Sequence, residues 1–357
     1  MAIYYVAHNG NAGHGGTNPG ADAMDLQTAC DTAVAGDEVR VCATGAYSFT
    51  AQIDIDTTSG TSVEPIRILG YNDAGSTQQE VTLTWTAGSY GLRCTKSYVH
   101  IVDFLVQRTG VKSGTGIYQS SFCTQDLILR CRATGWTTGI YAYGVNTFAC
   151  ACETYENTDG ITVNSGVKAI GCVSRDNVDD GFSVAGEVIF CITYSNGGDG
   201  FEVLSNQTYY SPSLVQCTSA LNSGDGIDIT SDNDMRVIIT GCICAKNDAY
   251  GIKSDVDCSV LGGGNLVPSG DTDDANVLGD FSNVTFYDAV VANLTGTKRA
   301  DFISTTDGSE DLRISGNSDA KAAGWPGMLV CGTGYLDIGA LQRQEPSNSY
   351  LIFQQER

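Results

Sequence analysis

The chain has 357 residues and a formal net charge of −22, from 19 basic and 41 acidic residues. This balance argues against nucleic acid and anionic membranes as partners, because both require a basic surface. Hydrophobic residues make up 42% of the chain, which also has 43 Gly and only 6 Pro. That composition is typical of a large, turn-rich fold with no membrane-spanning run.

The first 45 residues are predicted to form a strand, a Gly-rich loop and a capping helix. Residues 3–7 have the pattern of a strand. A helix is predicted over residues 22–35, because Asp22 or Asp25 can begin its apolar stripe and Gly36 can end it. Such a helix would cover the open end of a stack of strands, which otherwise exposes unpaired edges.

Residues 46–258 are predicted to form the main body, which begins with short alternating strands and continues as a sequence repeat. The early strands are predicted at residues 37–42, around Phe49, and at residues 53–55, 66–69, 81–85 and 99–103.

The repeat runs from Gly116 to Gly251. In each unit a Cys is followed five residues later by an Asn, and a Gly follows within four more residues. From Gly139 onward the repeat Gly residues lie 19 to 26 residues apart. A period in this range indicates a solenoid, in which one coil needs its neighbours to bury its apolar face.

The coils are predicted to consist of β-strands. Apolar residues alternate after each Gly, as at Ile161 and Val163, and no helical apolar stripe occurs within the repeat. The sequence therefore predicts an all-β fold, a parallel β-helix. The residue two before each ladder Cys is expected to share that Cys's face. These residues are Leu129, Cys150, Ile170, Ile189, Val215 and Thr240.

The repeated Cys and Asn residues are predicted to stack in columns inside the coils. Cys fills a narrow apolar position, and Asn tolerates a left-handed turn and can bond to the next Asn. The columns are Cys131, Cys152, Cys172, Cys191, Cys217 and Cys242, and Asn157, Asn177, Asn196, Asn222 and Asn247. Metal or disulfide chemistry is the alternative, since the thiols of Cys150 and Cys152, or of Cys242 and Cys244, would share a strand face.

An acidic group beside the Asn turns is the predicted site. Carboxylates stacked about 5 Å apart repel one another, so they need solvent, divergent side chains, backbone amides or Ca²⁺. Simple Asp-Gly turn chemistry is the alternative. The candidate Ca²⁺ ligands are Asp159, Asp179, Asp180, Asp199, Asp225 and Asp228, with Glu202 close by.

Residues 259–357 are predicted to contain a long loop at residues 259–283, less regular final coils and a C-terminal tail. The apolar tail segment at residues 349–353 is expected to pair with its own sheet or with a partner subunit.

Both ends of the chain carry a family resemblance. The segments at residues 4–6, 35–39, 59–61 and 65–68, and the closing segment at 335–342, resemble right-handed parallel β-helix proteins of the pectate-lyase-like superfamily. The resemblance implies this fold for nearly the whole chain. It leaves function open, because the superfamily includes lyases, hydrolases, phage tailspikes and virion proteins.

Asp179-Asp180-Gly181-Phe182 resembles the calcium-binding stretch of family 9 pectate lyases. The resemblance implies that Asp159, Asp179 and Asp180 are Ca²⁺ ligands, with Ser183 where a fourth Asp is expected. It also implies a Lys base. No Lys occurs between residues 168 and 246, and the guanidinium of nearby Arg175 stays protonated.

Two main functions are predicted. The first is a virion surface or receptor-binding protein, expected to be a homotrimer that contacts cell-surface glycan and other virion proteins. The second is a calcium-dependent extracellular lyase of uronate polysaccharides, and an adhesin is a third hypothesis. The N-terminus lacks the features of a Sec signal peptide, so a virion or an extracellular location reached by another route is expected.

Sugar contacts and hydrolysis are two further possibilities. Exposed aromatic rings could stack on sugars, and stacked carboxylates could supply the pair that a glycoside hydrolase requires. The aromatic candidates are Trp136, Tyr141, Tyr143, Tyr155, Tyr194, Tyr209 and Tyr210.

Overall fold

The computed structural model describes residues 1–204, 211–230, 236–254, 259–261, 265–268, 275–278, 294–296, 302–304 and 311–314. The helix is α1 Leu26–Thr32. The strands before the repeat are β1 Ile3–Val6, β2 Glu38–Cys42, β3 Tyr47–Phe49, β4 Ile53–Ile55, β5 Ile66–Tyr71, β6 Val81–Trp85, β7 Tyr90–Cys94, β8 Val99–Val102 and β9 Phe104–Arg108. The strands of the repeat are β10 Thr115–Gln119, β11 Leu127–Leu129, β12 Arg132–Thr134, β13 Thr138–Ala142, β14 Thr147–Cys150, β15 Glu153–Tyr155, β16 Asp159–Val163, β17 Val167–Ile170, β18 Val173–Arg175, β19 Phe182–Val184, β20 Glu187–Ile189, β21 Ile192–Tyr194, β22 Phe201–Val203, β23 Ser213–Val215, β24 Thr218–Ala220, β25 Ile227–Ile229, β26 Arg236–Thr240, β27 Ile243–Ala245 and β28 Tyr250–Ser254. The later strands are β29 Ser259–Leu261, β30 Leu266–Pro268, β31 Ala275–Leu278, β32 Leu294–Gly296, β33 Phe302–Ser304 and β34 Asp311–Ile314.

Three long parallel sheets form the body of the protein. Sheet A has the order β1-β2-β5-β8-β11-β14-β17-β20-β23-β26-β29, sheet B the order β3-β6-β9-β12-β15-β18-β21-β24-β27-β30-β32, and sheet C the order β31-β28-β25-β22-β19-β16-β13-β10-β7-β4. Within the repeat the chain visits A, B and C in turn, so each coil contributes one strand to every sheet. This arrangement confirms the predicted parallel β-helix.

The stack of coils continues past residue 258. Strands β29, β30 and β31 lie within the segment predicted to be a long loop, and each pairs in parallel with the strand of the preceding coil. The predicted tail strand at residues 349–353 and the closing segment at 335–342 lie outside the described residues.

Helix α1 packs on β1, β2 and β4 near one end of the stack, and it buries Leu26, Ala29 and Cys30. It is shorter than predicted. Asp25 is its N-cap and accepts a hydrogen bond from the Thr28 N–H, whereas Ala33 ends it before Gly36. Asp22 instead accepts hydrogen bonds from the loop residues Gly15 and Thr17. In the part of the chain that the structure describes, no helix is long and apolar enough to cross a membrane.

Two left-handed residues bend each coil of the repeat. One separates the sheet A strand from the ladder Cys, at Arg130, Ala151, Gly171, Phe190, Gln216 and Gly241, and the other precedes each ladder Asn, at Glu156, Asp176, Ser195, Leu221 and Lys246. The prediction that Asn itself takes the left-handed conformation is therefore wrong. The neighbour turns the chain and leaves the Asn side chain pointing inward.

Because of the first bend, the prediction that the residue two before each ladder Cys shares the face of that Cys is wrong. Cys152 is buried, but Cys150 is only half-buried, and the buried strand residue beside it is Ala149. A two-residue alternation does not continue through a left-handed residue such as Ala151. The thiols of Cys150 and Cys152 therefore lie on opposite sides of the sheet.

The interior columns are buried and joined by hydrogen bonds. Along the Asn column the side-chain amide of one residue donates to Oδ1 of the next, at 2.8 Å from Asn177 to Asn196 and from Asn196 to Asn222. The ladder Cys residues are fully buried, and their thiols donate to backbone carbonyls, as from Cys172 to Ala149. The structure therefore places these Cys as packing residues, and the twelve described Cys are free of disulfides.

Candidate functional site

Sheet C presents one outward-facing residue per coil, always two positions after the repeat Gly. The parallel register aligns these residues from coil to coil. We call them the outward column: Arg93, Tyr118, Tyr141, Thr162, Ser183, Glu202, Asp228 and Lys253. After Arg93 the column is aromatic at Tyr118 and Tyr141, and it is charged from Glu202 onward, so its two halves differ in chemistry.

A second column lies beside it, where each strand of sheet C begins. It consists of Asp159, Asp180, Asp199 and Asp225, and we call it the aspartate column. Oδ1 of Asp180 accepts the Asp199 N–H at 2.7 Å, and Oδ1 of Asp199 accepts the Asp225 N–H at 2.6 Å. Asp225 accepts the Tyr250 N–H in the same way, at 2.7 Å. These bonds to backbone amides stabilise the stacked carboxylates.

The close approach of these carboxylates explains the Gly residues that precede Asp199 and Asp225. A Cβ on Gly198 would lie 2.4 Å from an Asp180 carboxylate oxygen, and one on Gly224 would lie 2.2 Å from Oδ1 of Asp199. No side chain fits at such distances without displacing the carboxylate. The local sequence Gly-Asp-Gly therefore allows each carboxylate to reach the backbone of the next coil.

The two columns meet at an acidic triad of Asp199, Asp225 and Asp228. One carboxylate oxygen from each lies within 4.8 Å of the others, and Asp225 and Asp228 are buried. Lys253 follows in the outward column, with Nζ 3.6 Å from Oδ2 of Asp225 and 3.4 Å from Oδ2 of Asp228. The site thus combines three converging carboxylates with one amine.

Burial and mutual repulsion raise the pKa of several of these carboxyl groups. Burial, followed by the charges of Glu202, Asp179 and Asp159, raises the pKa of Asp180 to about 7. Burial and the charges of Asp180, Asp228 and Asp225 raise the pKa of Asp199 to about 7. The bonds from backbone N–H groups oppose both shifts. A bound cation would relieve the same repulsion without a proton.

The structure separates the six predicted ligands into two groups. Asp199, Asp225 and Asp228 form the triad. Asp180 lies one coil before it, linked to Asp199, and Asp159 lies one coil further still. Burial, then the charge of Asp179, raises the pKa of Asp159. The triad therefore lies one to two coils beyond Asp179 and Asp180, and two to three beyond Asp159, the set that the resemblance implied.

Lys253 is the residue that sequence reasoning missed. A Lys base was expected between residues 168 and 246, where the sequence has no Lys. Lys253 lies two positions after Gly251, just as Asp228 lies two positions after Gly226. Counting from the repeat Gly would have found it. Arg175 lies on sheet B, where it pairs with Glu153 and Asp176, and so takes no part in this site.

The predicted sugar-binding aromatics have different locations. Trp136 is fully buried, and its indole N–H donates to the Val106 carbonyl. Tyr141 lies on the outward column and stacks on Tyr118, with ring centroids 5.4 Å apart. Tyr155 and Tyr194 belong to sheet B. Tyr143 meets the edge of the Tyr141 ring, and Tyr209 and Tyr210 lie outside the described residues.

The triad has the donor set and spacing that Ca²⁺ requires. Ca²⁺ takes oxygen ligands at about 2.3–2.6 Å, so two oxygens on one ion lie at most about 5 Å apart. The triad oxygens satisfy this limit. Three carboxylates supply hard, anionic ligands, and two of them, those of Asp225 and Asp228, are buried.

Comparisons with known proteins identify a family of β-helix proteins. The family model described as "Pel9A-like, right handed beta helix region" matches residues 4–265. No curated protein sequence matches the chain. Among solved structures, pectate lyase Pel9A is 18% identical with a TM-score of 0.65, covering 96% of this chain and 97% of that one. A rhamnogalacturonan lyase is 16% identical with a TM-score of 0.52, covering 86% and 91% respectively. At these identities the structural matches establish the fold alone.

Proposed function

The chain belongs to the Pel9A-like right-handed β-helix family, and from that premise we propose that it is a calcium-dependent lyase of uronate-containing polysaccharides. One observation carries the proposal, namely that the Lys253 amine lies within 3.6 Å of two carboxylates of the acidic triad. Lyase chemistry on a uronate requires a cation for the substrate carboxylate and a base for the adjacent carbon. The triad and Lys253 offer both.

In this proposal Asp199, Asp225 and Asp228 hold Ca²⁺. When bound, Ca²⁺ supplies charge neutralisation for the uronate carboxylate and for the negative charge that develops beside it. A protein of net charge −22 repels an acidic polymer. A cation that bridges the two would offset this repulsion and allow them to associate.

Lys253 is proposed to take the proton next to the uronate carboxylate. Its two carboxylate neighbours favour the charged ammonium form, which cannot accept a proton. Once their charge is balanced by a cation, that attraction is lost and the neutral amine becomes more accessible. The same three aspartates would thus bind the cation and adjust the base.

The outward column provides a surface for the rest of the polymer. Toward the N-terminal end, Thr162 and Ser183 lie between Glu202 and the tyrosines Tyr141 and Tyr118. Successive positions are about 4.8 Å apart, as parallel strands require. Because the Tyr118 and Tyr141 rings stack on each other, we expect a sugar to meet their hydroxyl edges rather than their faces.

The test is turnover of pectate, alginate and chondroitin, with and without Ca²⁺, followed by the absorbance of the unsaturated uronate product. We expect activity on one of these polymers that a chelator abolishes. Lys253→Met and Asp228→Asn should each lower it by about 10²-fold or more. Lys168→Met on sheet A and Asp176→Asn directly after β18 of sheet B are the matched controls and should keep full activity. Turnover unaffected by Lys253→Met would contradict the assigned base.

Two other functions predict different outcomes of the same assay. The virion hypothesis predicts glycan binding without cleavage and remains a prediction, as do the trimer, the adhesin and the location. A glycoside hydrolase would release reducing ends without the unsaturated product. That possibility is favoured by Asp180, because burial and then the charge of Glu202 raise the pKa of its carboxyl to about 7, a value suited to a general acid.

A further inference from the structure

A second cluster of potential ligands lies inside the coils, away from the acidic triad. Cys94 ends β7, and Gln119 pairs with it at the end of β10. Cys123 lies in the loop that follows, and Asp126 directly precedes β11. All four side chains are fully buried. One ligand atom each from Cys94, Cys123 and Asp126 lies within 4.8 Å of the other two.

The Asp126 carboxylate is poorly compensated for a buried acid. Oδ1 accepts the Val99 N–H at 2.9 Å. Oδ2 has two long contacts, at 3.4 Å to Nε2 of Gln119 and 3.8 Å to Sγ of Cys94. Among the described residues no basic side chain forms an ion pair with Asp126. Burial accordingly raises the pKa of Asp126 to about 7, which indicates that a positive charge would be stabilised here.

Gln119 gives an independent sign of a missing ligand. Its amide reaches Asp126 through Nε2, while its Oε1 atom is buried without a hydrogen-bond partner. Buried carbonyl oxygens nearly always have a donor or a cation. Two thiols and a carboxylate thus converge in one buried position, and the unpartnered amide oxygen belongs to a side chain that contacts the same carboxylate. Together these four side chains match the number of ligands that a tetrahedral metal takes.

The cluster differs from the Cys column in this respect. The thiols of Cys131 and Cys152 donate to backbone carbonyls of sheet A and have no carboxylate among their hydrogen-bond partners. Cys94 also contacts a carbonyl, that of Lys96 at 3.2 Å. Cys94 and Cys123 also contact the Asp126 carboxylate, so packing accounts for the column and leaves the cluster unexplained.

We propose that Cys94, Cys123, Asp126 and the Gln119 carbonyl oxygen bind a structural Zn²⁺. Thiolates at about 2.3 Å and oxygens at about 2.0–2.2 Å from one ion place their ligand atoms within the observed spread. Binding deprotonates both thiols and releases those protons to solvent. Thiolate ligands disfavour Ca²⁺, so the two cation sites of the protein select different metals. With four protein ligands the site has no open position, and its role is to hold β7, β10 and β11 together.

Metal analysis of the purified full chain tests the site. We expect about one Zn²⁺ per chain, and after exchange with Co²⁺ a thiolate-to-cobalt charge-transfer band. Removal of zinc with phenanthroline should lower the melting temperature, and Zn²⁺ but not Ca²⁺ should restore it. These readouts do not depend on lyase activity, so the zinc site and the proposed function can fail separately.

Variants locate the metal. Asp126→Asn, which is nearly isosteric, and Cys94→Ser should each reduce the zinc content several-fold, whereas Cys172→Ser in the Cys column should retain it. If the variants do not fold, the Co²⁺ spectrum of the unmodified chain shows whether thiolates bind the metal. A chain without zinc and without the thiolate band would overturn the proposal. A Cys94–Cys123 disulfide, detected by mass spectrometry as the loss of two hydrogens, would do the same.

Discussion

Two columns of nearly identical side chains run along this molecule, and they behave in opposite ways. The Asn column is buried inside the coils, and the aspartate column lies outside at the start of sheet C. Both repeat once per coil, and both use Oδ1 to accept a backbone N–H from an adjacent coil, at 3.1 Å in Asn177 to Asn196 and 2.7 Å in Asp199 to Asp180. Shape and spacing are thus shared.

The difference lies in the second atom of each side chain. The Asn amide donates to the next Asn, so every added coil adds a neutral bond. The Asp carboxylate has no proton to donate and carries charge, so every added coil adds repulsion. The pKa values of Asp180 and Asp199 are raised as a result. Exchange of one nitrogen for one oxygen therefore distinguishes a structural column from one suited to a proton or a cation.

The largest effect is expected when a carboxylate is moved into the interior column. Asn196→Asp removes the amide that donates to Asn222 and to Thr193, both at 2.8 Å. It also brings a buried charge against an acceptor. We expect a loss of roughly 3 kcal/mol in the free energy of unfolding, measured with urea. Asn164→Asp, at a half-buried turn, is the control, and equal stability of both variants would contradict the comparison.

The pH dependence of stability is the next largest effect. Folding raises the pKa of Asp180 and Asp199 from about 4 to about 7, so the folded state binds more protons across that interval. Without divalent cations, the contribution of these two groups to stability should therefore be complete below about pH 4 and should be lost as pH rises through about pH 7. Between about pH 5 and about pH 8 we expect the melting temperature to fall by about 3 °C or more. Calcium should reverse the fall at the higher pH.

In protein freed of zinc as well as calcium, the buried Asp126 carboxyl contributes to the same interval. Asp199→Asn should therefore flatten the pH profile only in part, and Asp126→Asn should remove a separate portion. A melting temperature that rises from about pH 5 to about pH 8 in the calcium-free protein would show that these carboxyl groups titrate at ordinary values.

Neutralising one member of the outer column should stabilise the calcium-free protein. Asp199→Asn keeps an oxygen for the Asp225 N–H and removes the repulsion with its acidic neighbours. We expect a gain of up to about 1 kcal/mol at neutral pH, together with loss of the stabilisation by calcium. Asp176→Asn, whose partner Arg175 lies on sheet B, should show no gain. A destabilised Asp199→Asn would mean that the charge itself holds the fold.

The smallest effect concerns the amine beside the triad. Lys253→Met removes a positive charge from Asp225 and Asp228. In calcium-free buffer we expect a loss of about 0.5 kcal/mol in the free energy of unfolding, and in calcium the loss should disappear. Arg236→Met on sheet A is an exposed control. A loss that persists unchanged in calcium would indicate that Lys253 supports packing rather than charge balance.

The sequence predicts the fold well because the coils repeat the same pattern of Cys, Asn, Gly and alternating apolar residues. The period from Gly139 to Gly251 and the alternation after each Gly are sufficient for a parallel β-helix. The bends were not predictable in the same way. Ala151, Phe190 and Leu221 adopt positive φ, although none is a residue that favours it, because the stacked neighbours determine the turn.

The site was predicted only in part for a related reason. The acidic residues were identified from their position before the repeat Gly, whereas Lys253 was sought by sequence distance from Asp180. Successive members of a column lie one coil apart in the structure, and the coils here differ in length by several residues. Sequence distance therefore does not locate a column member. The Asp126 cluster gave no signal, because its members occupy four different kinds of position in the coil and converge only in three dimensions.

The outward column has a consequence for how this scaffold can change over time. Its side chains point away from the interior of the cylinder in a shared backbone register, so they can be exchanged without repacking the interior. The position of a reactive centre on such a column is therefore set by the coil that carries it and is not fixed by the fold. Duplication of a coil, or a few substitutions in the outward column, would move the reactive centre along the axis in steps of one strand spacing, about 4.8 Å.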